Sequence, residues 1–188
     1  MEKESNKKKK KLMETIEIPK GVEVSIDKGL VAVKGPKGEN KKNLYNKKVS
    51  IKIDTNKVII SSERATKREK KMIGTFKAHI GRMVDGVIKP HKYVLKICSG
   101  HFPMTVSVTN NQLVVKNLLG EKIPRVMDIK EGVTVKVEGE NISVESTNKE
   151  YAGQCAASIE QLTRRTGYDS RIFQDGCYII TKGDKEIK

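Results

Sequence analysis

Only seven arginines occur in this 188-residue chain, and four of them, Arg125, Arg164, Arg165 and Arg171, fall in its second half. Arg164, Arg165 and Arg171 crowd into eight residues beside Tyr168 and Phe173. A guanidinium offers a planar fork that holds phosphate oxygens in pairs, and an aromatic ring can stack on an exposed base. A plainer reading gives Arg164 and Arg165 the role of cations at a helix C-terminus and Phe173 a place in the core. In the first half the cations are lysines. Lys34 and Lys37 bracket Gly35-Pro36, and Lys41, Lys42, Lys47 and Lys48 follow, a cluster suited to phosphate contact. Gly35 to Gly38 fits the G-x-x-G pattern of loops that clamp a nucleic-acid backbone between two helices. Here it follows a strand, so it reads as a tight basic turn.

Other chemistry is sparse. There is no H-E-x-x-H, no G-x-S-x-G, no Walker A loop and no glycine-rich dinucleotide fingerprint. His79, His91 and His101 fall on different predicted elements. Cys98, Cys155 and Cys177 are widely spaced and include no Cys-x-x-Cys pair, which predicts neither zinc ligation nor a disulfide framework. The expectation is a protein that is not an enzyme, with no metal, no cofactor and no small-molecule substrate.

Charge points to the partner. Lys and Arg number 38 against 23 Asp and Glu, a net +15. Residues 1–90 hold 24 basic and 11 acidic side chains, whereas residues 91–188 hold 14 and 12. A basic excess of this size favours a polyanion. No apolar run approaches the ~20 residues of a membrane span, and no basic helix with bulky aromatics suggests a bilayer surface. Nucleic acid is the predicted partner. Met1 to Leu12, with five consecutive lysines, reads as a disordered basic arm, and residues 184–188 as a polar tail.

The elements that must position these residues occur twice. Val24 to Glu39, VSIDKGLVAVKGPKGE, lies without a gap on Val106 to Glu121, VSVTNNQLVVKNLLGE, at an offset of 82. Val49 to Ser62 lies on Val133 to Ser146 at an offset of 84. Val49, Ile51 and Ile53 alternate with polar residues, as do Val133, Val135 and Val137, the signature of half-buried strands. Met72, Ile73, Phe76, Ile80, Met83 and Val84 predict a helix over 65–84, closed by Gly86. Tyr151, Cys155, Ala156, Ile159 and Leu162 predict a second, capped by Ser146 or Thr147 and ending at Arg164-Arg165. Asp169 to Phe173 reads as one helical turn, and Cys177 to Thr181 as a last strand. The fold expected is α+β, a tandem duplication of a small antiparallel β-sheet covered by one long α-helix, with repeats at 13–88 and 89–183.

Four segments carry a family resemblance: Val31-Ala-Val-Lys-Gly-Pro-Lys-Gly38, His101-Phe-Pro-Met104, Lys116-Asn-Leu-Leu-Gly-Glu-Lys122 with Arg125-Val126, and Arg171-Ile-Phe-Gln-Asp-Gly-Cys-Tyr-Ile179. Together they resemble the large-subunit ribosomal protein L6 family, in its archaeal and eukaryotic branch, over roughly residues 14–183. The resemblance implies binding to large-subunit rRNA near the sarcin–ricin loop, the factor-binding region and the stalk base, with ribosomal proteins of the stalk base as neighbours. It implies a cytoplasmic, ribosomal location, with passage through the nucleolus if the source is eukaryotic. It also implies docking through the second repeat, by Lys122, Arg125, Arg171, Phe173 and Lys182. Arg164 and Arg165 join them on chemical grounds, with Lys34 and Lys37 as further phosphate contacts. Ser61 to Glu69 departs from the family's pattern. A free-standing RNA-binding or chaperone protein is the alternative.

Overall fold

The computed structural model describes residues 11–63, 66–169, 171–183 and 185–187, so most of the basic arm lies outside it. The chain divides into two compact units, Met1–Lys89 and Pro90–Lys188. Both are α+β, with one α-helix each and several small antiparallel sheets.

In the first unit, β2 (Glu23–Asp27), β3 (Leu30–Gly35) and β4 (Gly38–Asn43) form a meander, and β1 (Leu12–Glu17) joins β5 (Ser50–Asp54) and β6 (Lys57–Ser62) in the order β1-β6-β5. The expectation of one sheet per repeat is thus corrected to two. Pro19, which has no N–H to give a ladder, and Gly21, at φ 87°, turn the chain out after β1, which pairs with the distant β6 instead of with β2. Leu12 opposes Ser62 and belongs to this sheet rather than to the arm. The tight turn at Asp27 to Leu30 is a two-residue hairpin, with Lys28 at φ 45° and Gly29 at φ 91°.

The helix α1 (Lys67–Ile88) starts with a capping box spelled by Thr66-Lys-Arg-Glu69: Thr66 accepts from the N–H of Arg68, and Glu69 accepts from the Thr66 N–H and hydroxyl. These bonds, led by the Thr66 hydroxyl, hold the Glu69 carboxyl down at about 2. Gly86 sits inside the helix, which ends instead where Lys89 donates to the Asp85 carbonyl before Pro90. Ile73, Phe76, Ile80, Met83, Val84 and Val87 pack on Val31 and Val33 of β3 and on Val58 and Ile60 of β6. Gly35 is required by this packing, since a Cβ there would lie 2.7 Å from Val87 Cγ2.

In the second unit, β8 (Thr105–Thr109), β9 (Gln112–Lys116) and β10 (Arg125–Asp128) form one sheet in the order β10-β9-β8. The other sheet comprises β7 (His91–Cys98), β11 (Val133–Glu138), β12 (Asn141–Ser146), β13 (Gly176–Lys182) and β14 (Lys185–Glu186), in the order β11-β12-β7-β13-β14. The repeated valines are cross-strand partners in both units: Val24 opposes Val33, and Val106 opposes Val115. Ile51 opposes Ile60, as Val135 opposes Val144. The cap of α2 (Lys149–Thr163) is Asn148, not Ser146 or Thr147. Ser146 is still in β12, where it donates to the Gly132 carbonyl while accepting from the N–H of Asn148.

Candidate nucleic-acid interface

The α2 helix ends beside Arg125, which β10 carries toward it. Arg125 Nε and Nη2 donate to the two carboxylate oxygens of Glu121 at 2.8 and 2.7 Å. Its Nη1 donates to the carbonyls of Leu162 at 2.6 Å and Arg164 at 3.2 Å. The guanidinium therefore satisfies carbonyls that the helix end leaves without partners, and it complements the negative end of the dipole. The Arg125 hydrogen bonds outweigh partial burial and hold the Glu121 carboxyl below its ordinary range. Arg165 approaches the same carboxylate at 3.7 Å. Arg125 thus meets the adjacent pair Arg164-Arg165 at α2's end, with Arg125 and Arg165 both drawn to Glu121, an acid that sequence reasoning missed. Its one signal was the Gly-Glu pair repeated at 38–39 and 120–121.

From Arg165 a column of rings runs back to the turn after β7. The Arg165 guanidinium lies 4.5 Å from the centre of the Tyr168 ring. Tyr168 meets Phe173 edge-on at 5.0 Å, and Phe173 stacks on His101, also at 5.0 Å. Asp175 fixes the far end. Its buried carboxylate accepts from the N–H of Gly100 at 2.9 Å, from the N–H of His101 at 3.1 Å and from His101 Nδ1 at 3.0 Å. Burial opposes its ionisation, but the His101 bond and the backbone N–H groups of Gly100, His101 and Phe102 together prevail and hold the carboxyl below its ordinary range. Neither His101 nor Asp175 was expected to matter. Nothing in the spacing announces that residues so far apart in the chain meet.

Between α2's end and this column lies an open groove of about 610 Å³, lined among others by Arg164, Arg165, Tyr168 and Phe173, with Glu160 and Asp175 as its acidic members. Tyr168 keeps 45% of its surface exposed there. Arg171 stands apart from the groove lining. Its side chain is 89% exposed and forks onto Asp169 through Nε at 3.1 Å and Nη2 at 2.8 Å. The Phe173 N–H donates to the Asp169 carbonyl at 2.9 Å. Lys122 is exposed next to Glu121, and the neighbouring Ile123 is 81% exposed.

The remaining cations are scattered. Lys182 is exposed near the end of β13, opposite Tyr93 of β7. Lys34 and Lys37 belong to the other unit, at the β3–β4 hairpin, where Pro36 and Lys37 form the two-residue turn between Gly35 and Gly38. The Lys37 N–H donates to the Val87 carbonyl, so the turn is moored to the end of α1. Among the described residues no group of His, Cys, Asp and Glu could hold a metal ion, and no helix is long and apolar enough to cross a membrane. Burial pushes the Cys177 thiol up to about 11 and raises that of Cys155, which leaves both poor nucleophiles.

Comparison with known proteins decides the family. The family model described as Ribosomal protein L6 matches the chain in two segments, residues 18–89 and 102–176. The chain belongs to the ribosomal protein L6 family. Among relatives, the large ribosomal subunit protein uL6 of Methanococcus vannielii is 44% identical over 176 residues, covering 94% of this chain and 97% of the relative. The uL6 proteins of Methanobrevibacter smithii and Methanosarcina mazei are 43% and 41% identical, covering 91% and 92% of this chain and 96% and 98% of their own lengths. The second segment matched by the L6 model takes in the whole groove except Tyr178, together with Lys122, Arg125 and Arg171, and stops before Lys182. Like its L6 relatives, the chain is a structural component rather than an enzyme.

Proposed function

We propose that the chain is an rRNA-binding constituent of the large ribosomal subunit, and that the groove at the end of α2 is its chief RNA contact. The observation that carries this reading is the convergence of Arg164 and Arg165 beside a half-exposed tyrosine in one open groove. Arg164 and Arg165 supply forked donors for phosphate oxygens, and Tyr168 supplies a stacking face. Phe173 braces Tyr168 from behind. Arg125, all of whose nitrogens donate within the unit, positions the groove rather than gripping RNA. Lys122 and Arg171 add positive charge beyond the groove lining, Lys182 adds a phosphate contact from the far end of β13, and Lys34 and Lys37 add phosphate contacts from the first unit.

Family membership supports the finer reading: a site near the sarcin–ricin loop and the factor-binding region, with ribosomal proteins of the stalk base as neighbours, in the cytoplasmic ribosome. The two units, 13–88 and 89–183, are read as copies of one duplicated domain, each with its sheets packed against one helix. The shared cross-strand register and the doubled L6 match support that duplication.

The test compares Gln replacements of Arg164, Arg165 and Arg171 with Gln replacements of Lys41, Lys42 and Lys47, measured as binding to a large-subunit rRNA transcript across a salt series. The arginine set is expected to weaken binding more, each lost phosphate contact lowering the salt slope by roughly one. If the lysine set does the greater damage while both proteins stay folded, the second-unit groove is not the anchor.

A further inference from the structure

The first unit carries a charged surface that the groove does not use. Lys67, Arg68, Lys70 and Lys71 are all exposed and fall within the first turn and a half of α1. That end of a helix bears the positive pole of its dipole, so cations there work against the helix they belong to. The one acid among them does not relieve them. Glu69 is buried, bound to Thr66, and its cationic partner is Lys48 at 3.5 Å. Among the described residues no carboxylate pairs with Lys67, Arg68, Lys70 or Lys71.

The same face runs on along the helix. Lys67, Lys71, Thr75, Ala78 and Arg82 follow at three- and four-residue steps and so lie on one side. Between them the surface is low, because Thr75 and Ala78 are small and Gly74 and Gly81 lie alongside. A Cβ at Gly74 or Gly81 would meet nothing within 4 Å, so packing does not account for glycine at either position. Glycine inside a helix weakens it. Cations at the wrong pole and glycines without packing cause are breaches of local preference from which the unit gains nothing, and such breaches concentrate at functional surfaces.

The chemistry of the face selects its partner. Apart from Ile88 at its last position, which is exposed, the large apolar residues of α1 are buried or half-buried against the unit's own core, so the exposed side has no Phe or Leu to insert into a bilayer. It also lacks the aromatic anchors that dominate protein–protein contacts. What remains is a row of cations on a flat helical surface, which matches a sugar–phosphate backbone. We infer that the exposed face of α1, centred on Lys67, Arg68, Lys70 and Lys71, is a second RNA-binding surface that grips phosphates irrespective of base sequence. The inference rests on the RNA-binding reading above but assigns it a separate contact in the other unit.

The test uses the full chain and the same rRNA transcript. Replacing Lys67, Arg68, Lys70 and Lys71 with Gln is expected to lower affinity at least fivefold near 0.1 M salt and to reduce the salt slope by about two to three. The melting temperature is expected to hold or rise, since cations leave the positive pole. Lys67→Arg, Lys70→Arg and Lys71→Arg together should retain binding. Unchanged affinity and slope in the Gln variant, with binding lost in an Arg164→Gln, Arg165→Gln variant, overturn this inference and leave the groove standing. If neither variant binds more weakly, both fall. Loss of binding to anionic phosphatidylserine vesicles without loss on RNA assigns the face to a membrane and also overturns it. Should the Gln variant unfold, the exposed single reversals Lys67→Glu and Lys71→Glu take its place, and a normal salt slope in both overturns the inference.

Discussion

Arg125 shows how a residue chosen for its charge can act through its geometry. Its fork joins Glu121 to the last carbonyls of α2, so truncating it leaves a half-buried carboxylate and two carbonyls without partners. Arg125→Met is expected to destabilise the protein by about 1–3 kcal/mol, read by urea unfolding. It should also weaken RNA binding through disorder of the groove, and Arg125→Lys should recover little, because an ammonium cannot fork. Asp175 makes a pH-dependent prediction. Its carboxyl is held below the ordinary carboxylate value, so its stabilisation is full above the unfolded pKa of about 3.9 and is lost as pH falls through the lower folded value. Asp175→Asn should therefore lower the melting temperature at neutral pH and flatten its fall on acidification. An unchanged acid limb would show that the turn after β7 does not depend on this carboxylate.

At the scale of elements, most strands with clean alternation were legible: Val49, Ile51 and Ile53 predicted β5, and Val133, Val135 and Val137 predicted β11. The stripe of Ile73, Phe76, Ile80, Met83 and Val84 that predicted the first helix is the face that α1 buries. The strand β4 was not, because Gly38-Glu-Asn-Lys-Lys-Asn43 has no apolar period. It is a charged edge strand held by its ladder to β3, and charge on an edge discourages pairing with other chains. Likewise the groove's arginines and rings could be named from composition, whereas Glu121, His101 and Asp175 join them only through tertiary contacts. The capping box is spelled by Thr66-Lys-Arg-Glu69, whereas the expected helix start at 65 was set by the apolar stripe alone. Thr66→Ala is expected to destabilise the protein by about 1 kcal/mol, and Thr66→Ser to be near neutral, by thermal unfolding.

Considered whole, the molecule has two independent apolar clusters, one in each unit. A core truncation should therefore be felt mainly in its own unit. Ile80→Ala, at a fully buried site, is expected to destabilise by about 2–5 kcal/mol. Hydrogen exchange should then accelerate over residues 11–89 more than over 90–188, and equal acceleration throughout would mean that the units unfold together.

The place of β13 beside the central strand β7 has a bearing on the order of synthesis. The strand β7 is made first in the second unit, yet one of its two ladder partners is β13, with Cys98 waiting for Gly176. Until the ribosome making this chain has released that stretch, β7 keeps an open edge and Phe173 and Asp175 are still missing from the turn they brace. A nascent second unit consequently has no finished groove, and a chain broken off early has none at all. The groove is therefore the last of the proposed contact surfaces to be completed, after the α1 face of the first unit is already made.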